Sequence, residues 1–358
     1  MQRWLNSCCL VVCLLGCSAE DPAPAPADTS VIVTPPTAVS LQLNWFPEAE
    51  HGGFFAADVD GTYEEANLDV EIRPGGPGTQ VVVQVATGRV TFGVTNADRV
   101  LVGQARGART VALMAPMQVS PRCILVHEKS NITSFDELEN VETLAASSTS
   151  TWSLFLKKKV SLDGVQIVPY AGNVSQFLLN DNYAQQGYSI SEPFVARVQG
   201  GEPRVLMVSD LGFNPYTSVL ITRPEVIRDS PGLVQAMVTA VVAGWQHYLQ
   251  SPQQANEAIH DRNEEMGLPI LAFGARELRK LCVTKEVPAD RLGRMTKKRW
   301  SELHDQLVET EVIEAGQVDV VRVFTNQFLP NAKPNCCPSC TMASNTVCWP
   351  QARESACD

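Results

Sequence analysis

The sequence predicts an α/β protein of two lobes joined by a hinge of two crossings. Three observations carry that expectation. Strand-like and helix-like segments alternate along the first two-thirds of the chain, the pattern of sheets covered by helices. The stretch from Pro224 to Phe328 reads as almost wholly helical and needs a sheet to cover. A length of 358 residues, 44% hydrophobic and 19% charged, suffices for two compact units.

In order, Val39, Leu41, Leu43 and Trp45 alternate with Ser40, Gln42, Asn44 and Phe46, a period of two that marks a strand. A helical stretch around Gly53 to Asp58, a strand at Leu68 to Ile72, and a helix from about Pro77 closed by Gly88 follow. A strand at Val90 to Val94, a helix Ala97 to Arg106 with Asn96 at its N-cap, and a strand Val111 to Met114 continue the rhythm. A second series has strands at Cys123 to His127, Thr143 to Ala146, Val165 to Val168 and Val205 to Val208. Its helices are Phe135 to Leu138 behind Ser134, and one opening in Ser147-Ser148-Thr149-Ser150-Thr151. After an extended piece, Tyr216 to Thr222, come helices at Leu233 to Leu249, Pro252 to Glu265, Gly274 to Leu281, Lys297 to Val308 and Val318 to Gln327. The economical arrangement packs these late helices on the first sheet. Lobe one is then 39–117 plus 222–329 and lobe two is 118–221, with the ligand in the cleft beyond the strands' carboxyl ends.

The balance of 28 Lys+Arg against 39 Asp+Glu, a net charge of −11, excludes a broad basic surface for nucleic acid. No apolar run approaches the roughly 20 residues that cross a bilayer. The N-terminus reads as an export signal: Met1-Gln2-Arg3 precedes the short apolar run Leu10 to Leu15. Leu14-Leu15-Gly16-Cys17 resembles a bacterial lipobox, which makes 1–17 a lipoprotein signal ending at lipidated Cys17; an ordinary signal rich in small Cys residues is the alternative. Residues 18–38, with Pro22, Pro24, Pro26, Pro35 and Pro36, form an extended tether to the membrane. Loss of residues 1–16, whose only charge is Arg3, takes the net charge from −11 to −12. The expected location is the periplasm or cell surface, anchored by lipid to a bacterial membrane.

In the tail, 330–358, Cys336, Cys337, Cys340, Cys348 and Cys357 crowd among prolines. Disulfides are the default in an oxidising compartment, with one Cys left over for Cys282, Cys123 or another chain. Zinc at Cys337-x-x-Cys340 is the weaker reading, because the remaining spacing is irregular. Cys123 and Cys282 taken alone read as buried apolar residues, and no metal or cofactor is expected.

Candidate ligand-binding residues lie at strand ends facing the cleft. Trp45 either stacks on a planar ligand or joins Leu41 and Leu43 in the core. His51 sits in a strand-to-helix loop, where it hydrogen-bonds a ring nitrogen or carbonyl, or else caps and packs. Thr95 and Asn96 end the next strand. Ser147 and Thr149 open a helix whose N–H groups and hydroxyls suit an anion or a neutral ligand. Tyr188 and Glu192 flank another strand end; a carboxylate there pairs with an amino group and repels a sulfonate or nitrate. Tyr216 lies near the returning hinge.

Leu43-Asn44-Trp45-Phe46-Pro47, His51-Gly52-Gly53-Phe54-Phe55-Ala56-Ala57, Gly61-Thr62-Tyr63 and Leu68-Asp69-Val70 resemble the opening signature of the sulfonate- and thiamine-pyrimidine-type binding proteins and pyrimidine synthases. Gly88-Arg89-Val90-Thr91-Phe92-Gly93, Ser191-Glu192-Pro193 and Phe324 to Leu329 extend the likeness over roughly 41–329. The resemblance implies a two-lobed type II periplasmic-binding-protein-like fold, and a Trp at position 45 that faces ligand. It implies a binding protein that captures a small heterocyclic nutrient, most of all a thiamine pyrimidine precursor, for an ABC transporter permease. Fungal relatives are pyrimidine synthases that use a Lys and a His after the strand matching Phe92 to Val94, and a mid-chain Cys cluster. Here Thr95 or Asn96 and Arg99 stand in those places, and Asp210 to Tyr216 contains no Cys. Binding is therefore expected over synthesis. A synthase-like enzyme, or a binding protein for sulfonate, nitrate or riboflavin, is the alternative.

Overall fold

The computed structural model describes residues 35–330. Cys17, most of the tether and the five tail cysteines lie outside the described residues. The strands are β1 (Thr37–Gln42), β2 (Leu68–Arg73), β3 (Phe92–Thr95), β4 (Val111–Met114), β5 (Arg122–His127), β6 (Thr143–Ala145), β7 (Gln166–Val168), β8 (Tyr183–Tyr188), β9 (Pro203–Met207) and β10 (Val219–Thr222). The helices are α1 (Gly52–Val59), α2 (Thr62–Glu65), α3 (Val81–Ala86), α4 (Ala97–Ala105), α5 (Thr151–Lys159), α6 (Ser175–Leu179), α7 (Glu192–Val198), α8 (Pro224–Asp229), α9 (Pro231–Tyr248), α10 (Gln253–Arg262), α11 (Leu268–Cys282) and α12 (Lys297–Glu309).

Two five-stranded sheets result, ordered β2-β1-β3-β10-β4 and β7-β6-β8-β5-β9. In the first, β1 runs parallel to β2 and β3, while β10 returns antiparallel between β3 and β4. β10 thus belongs to the first sheet, and a lobe boundary at 221/222 would cut through it. The second crossing lies between β9 and β10. Four consecutive buried residues in β10 carry no alternation that would have told which sheet they join.

The helix expected at Val318 to Gln327 is a single tight turn, Val320–Arg322. Here the chain pairs with β4 instead: Ala112 N–H donates to Val323 O at 2.8 Å and Thr325 N–H to Ala112 O at 2.9 Å.

Helix α1 is clamped against α9 because its first two residues have no side chains. A Cβ on Gly53 would stand 2.1 Å from the Trp245 ring, and one on Gly52 2.0 Å from the Tyr248 ring. Trp245 and Tyr248 are wholly buried there, with Phe54 edge-on to Trp245 at 5.8 Å. This close approach fixes the start of α1, and with it the loop Asn44 to His51 at the carboxyl end of β1.

The two crossings are tied together by polar contacts. Asn214 Oδ1 accepts from Ser120 N–H at 2.8 Å, and Arg299 donates to Asn214 O at 2.8 Å and to Gln118 Oε1 at 3.3 Å. Gln118 in turn donates to Ala115 O at 3.0 Å. Among the described residues no helix is long and apolar enough to cross a membrane.

Candidate functional site

At the mouth of the cleft, β1 ends at Gln42, and the chain turns through Asn44 to Glu50 before α1. Gly75 approaches this turn so closely that its N–H reaches Trp45 O at 2.9 Å, and a Cβ there would meet Leu43 O at 2.4 Å. Leu41 and Leu43 are fully buried as alternation requires, but Trp45 is 40% exposed and Phe46 47%, the two rings edge-on at 5.5 Å. Trp45 is therefore no part of the core. An aromatic pair this exposed beyond a strand's carboxyl end is free to cover a flat ligand.

His51 does not reach a ligand. It is completely buried; its Nδ1 accepts from Glu48 N–H at 3.4 Å, and its Nε2 lies 3.0 Å from Asn44 Oδ1 and 3.2 Å from Glu50 Oε1. Nδ1 accepts, so Nε2 is the nitrogen that carries the proton and donates. Asn44 Nδ2 closes the ring of contacts by donating to Glu50 Oε1 at 3.0 Å. His51 thus positions the turn rather than binding solute. Burial pushes the Glu50 carboxyl up, but His51 and Asn44 outweigh burial and hold it below the usual carboxylate range.

Glu48 behaves in the opposite way. It is half-buried, and its carboxylate is joined to the His51 backbone N–H in a capping box, while Glu50 Oε2 is buried without a partner. Burial first, then the nearby Glu50 and Glu192 charges, push Glu48 well above the usual range; Arg122 alone pulls it back. Glu48 and Glu50 are of lobe one, Arg122 and Glu192 of lobe two. Three carboxylates and one guanidinium thus share one region of the cleft. The Arg122 guanidinium is itself held over the Tyr188 ring at 4.2 Å and the Trp152 ring at 5.5 Å.

The lobe-two residues meet lobe one directly. Asn96, at the N-cap position of α4, does not cap with its side chain; Nδ2 donates to Tyr188 OH at 3.3 Å and Oδ1 accepts from Ser218 N–H at 3.4 Å. Burial raises the Tyr188 phenol to about 12, so it is a neutral hydroxyl. Thr95 is buried in the sheet opposite Val219. Ser147 N–H donates to Gln186 Oε1 at 2.8 Å, and Thr149 is exposed. Where α5 begins, Thr151 Oγ1 donates to Asp98 Oδ2 at 2.5 Å. A carboxylate of lobe one therefore takes the position at this helix start that a ligand's anionic group was expected to use.

Two further expectations change. Glu192 is committed to its own lobe: Oε1 accepts from Tyr170 OH at 2.9 Å, and Oε2 from Tyr188 N–H at 2.8 Å and from the Ser191 hydroxyl. It opens α7 and fixes the end of β8, leaving Glu48 and the Oε2 of Glu50 as the carboxylate groups with hydrogen-bonding capacity to spare. Tyr216 is buried away from the cleft, its OH accepting from Thr296 N–H at 3.0 Å and its ring 3.8 Å beneath the Arg299 guanidinium. Its single aromatic signal near a hinge carried no information on direction, and α12 took it.

The sequence reading missed Glu48, Glu50 and Arg122. The available signal was two glutamates, two residues apart, immediately before His51-Gly52-Gly53. Among the described residues no group of three or more His, Cys, Asp or Glu is placed to hold a metal ion. Cys123 and Cys282 are free, buried thiols. A cavity of about 520 Å³ lies at the lobe junction between α7, β9 and α11, lined by Ser189, Pro193 and Phe273 among others, and none of the candidate ligand residues reaches it.

The two-lobed arrangement is the periplasmic-binding-protein fold. The periplasmic aliphatic sulphonate binding protein of Escherichia coli superposes with a TM-score of 0.62 at 15% identity, covering 87% of this chain and 98% of that one. The chain belongs to the NMT1/THI5-like family, whose model matches residues 48–255. It is 22% identical over 310 residues to the 4-amino-5-hydroxymethyl-2-methylpyrimidine phosphate synthase of Legionella pneumophila, covering 82% of this chain and 92% of that protein. It is 21% identical over 299 residues to the formylaminopyrimidine-binding protein of Halalkalibacterium halodurans, covering 77% and 88%.

Proposed function

We propose that this protein is an extracytoplasmic solute-binding protein whose lobes close on a small amino-bearing heterocycle, a pyrimidine precursor of thiamine, and present it to an ABC permease. The observation that carries the ligand class is Glu48: a half-buried carboxylate in the cleft, met among the described residues by the backbone N–H of His51 but by no side-chain donor, and beside two further carboxylates. An exocyclic amino group supplies the N–H that such a carboxylate needs, whereas a sulfonate or nitrate meets repulsion. Trp45 and Phe46 offer the ring its apolar cover. The formylaminopyrimidine-binding relative supports the same class. Cys17 acylation and the proline-rich tether would hold the body at the membrane.

A second reading, a synthase of the same fold, is favoured by the name of the Legionella relative. Against it stand Thr95, Asn96 and Arg99, where the resemblance asks for a reactive Lys and His. Thr95 is buried, Asn96 is engaged with Tyr188, and Arg99 is 4.0 Å from Asp98.

Calorimetric titration of protein stripped of ligand by unfolding and refolding tests both. An aminopyrimidine precursor, riboflavin, an alkyl sulfonate and pyridoxal phosphate form the panel. Reversible pyrimidine binding with recovery of unchanged ligand supports the transport reading. Sulfonate binding that survives Glu48→Gln overturns the ligand class, and conversion of pyridoxal phosphate overturns the absence of catalysis.

A further inference from the structure

The edge of the first sheet opposite the cleft carries a second, chemically different feature. β1 to β4 begin on this edge and the antiparallel β10 ends on it, with Thr222 in register with Phe92 and Val111. A cavity of about 760 Å³ opens there, lined by Thr87, Gly88, Arg106, Arg109, Arg223 and Glu225 among others.

Its three arginines are poorly matched by protein anions. Arg223 follows β10 directly and lays its half-buried guanidinium over Gly88, where a Cβ would stand 3.3 Å from Cζ. Neither Arg223 nor Arg106 has a side-chain hydrogen bond or ion pair among the described residues. Arg109 reaches Glu225 only at 3.4 Å and is 76% exposed, a contact that solvent largely screens. Asp229 is near enough to feel Arg223, but Arg228 already binds both of its oxygens, at 2.8 and 2.9 Å. Three guanidiniums thus face one carboxylate in a chain of net charge −11. A planar guanidinium fork matches a phosphate better than any other common anion-binding group.

The place of this cavity says where the phosphate comes from. β1 enters on the same edge, because Thr37 pairs with Leu68 and β1 runs parallel to β3. The described chain therefore enters the first sheet, at Thr37, on the side where the arginines lie. With a screening length of about 8 Å at physiological salt, the charges of the facing edge govern contact with a membrane, not the net charge of the whole chain.

We propose that the cavity holds the phosphate of an anionic phospholipid headgroup and so holds this edge of the protein at the membrane. The proposal rests on the lipid-anchored reading above only for the nearness of the membrane. Its test needs no acyl chain.

The full chain bearing Cys17→Ser is floated with vesicles of phosphatidylglycerol or of phosphatidylcholine. Preference for phosphatidylglycerol is expected, with a loss of about fivefold per arginine and on the order of a hundredfold for Arg106→Ala/Arg109→Ala/Arg223→Ala together. Lys297→Ala/Lys298→Ala removes two exposed cations from α12 and is expected to change little. Arg109→Ala alone, at a largely exposed position, guards against a folding defect in the triple variant. Equal partition to both vesicles, retention by the triple variant, or equal loss in the lysine control overturns the proposal. So does calorimetric binding of inorganic phosphate that needs the arginines but brings no preference for anionic vesicles. The solute titrations above are unaffected by either result, so the two readings fail separately.

Discussion

Glu48 and Glu50 are two residues apart and titrate in opposite directions. Burial and like charges raise the Glu48 carboxyl, so its ionised form costs stability, fully so above its raised folded value and less as pH falls and it takes up a proton. Glu50 is held low by His51 and Asn44, so its contribution is present above the ordinary carboxylate range and is lost as pH falls through its lowered folded value. Glu48→Gln is therefore expected to raise the melting temperature at pH 7, the gain shrinking on acidification, as thermal unfolding across pH will read. Affinity for an amino-bearing ligand should fall as pH drops through the raised Glu48 value, and Glu48→Gln should remove that dependence. Trp45→Ala is expected to weaken binding by about threefold to tenfold, the worth of an aromatic stack, with little change in melting temperature because the ring is exposed. Alternation left Trp45 between cleft and core, and the family resemblance alone favoured the cleft. The sequence could not separate Glu192 from Glu48, because which carboxylate is already bonded by side chains depends on Tyr170, 22 residues away from Glu192 in the chain.

At the scale of elements, the start of α1 depends on two glycines that admit Trp245 and Tyr248. Gly53→Ala would force a methyl into the Trp245 ring and is expected to destabilise by about 1–3 kcal/mol or more, read by denaturant unfolding. A mere helix-propensity effect predicts the reverse, since Ala is the better helix former. Such glycines were visible in the sequence as His51-Gly52-Gly53, but their partners lie on α9, nearly 200 residues later. The alternating strands and helices were readable from their order and from the turn and cap residues between them, β3 and β4 among them although every residue of both is buried. β10, buried on both faces, was legible as extended but not as a strand of the first sheet, and the pairing that follows the valine-rich Val318 to Val323 was not legible, since neither shows a period that separates one partner from another.

Across the whole molecule, the lobes touch through polar contacts on either side of the cleft. Thr151 donates to Asp98, Asn96 to Tyr188, and Lys159 pairs with Glu309 at 2.8 Å, while the Phe194 and Phe273 rings lie 5.2 Å apart. Closure of this kind is the signal a permease can read, because only differential contacts shift the balance of open and closed forms. Thr151→Val/Asn96→Ala removes the two bonds at the cleft and is expected to enlarge the radius of gyration of the ligand-free protein in small-angle scattering, with ligand restoring the compact value. An unchanged radius without ligand would assign closure to the aromatic and hinge contacts instead. The hinge was legible from chain order, whereas the contacts that lock it join residues from opposite lobes and have no signature in sequence.

On the proposed function, Glu48, a cleft carboxylate with no side-chain donor among the described residues, selects an amino-bearing ring. The most direct test compares calorimetric affinities for a 4-aminopyrimidine precursor and its 4-oxo analogue, in the wild-type protein and in Glu48→Gln. A charge-assisted hydrogen bond worth about 1.5–3 kcal/mol predicts that the wild type favours the amino compound by roughly tenfold to a hundredfold or more, and that Glu48→Gln loses most of that preference. Equal binding of the two compounds by the wild type, or a preference that Glu48→Gln leaves intact, would contradict it.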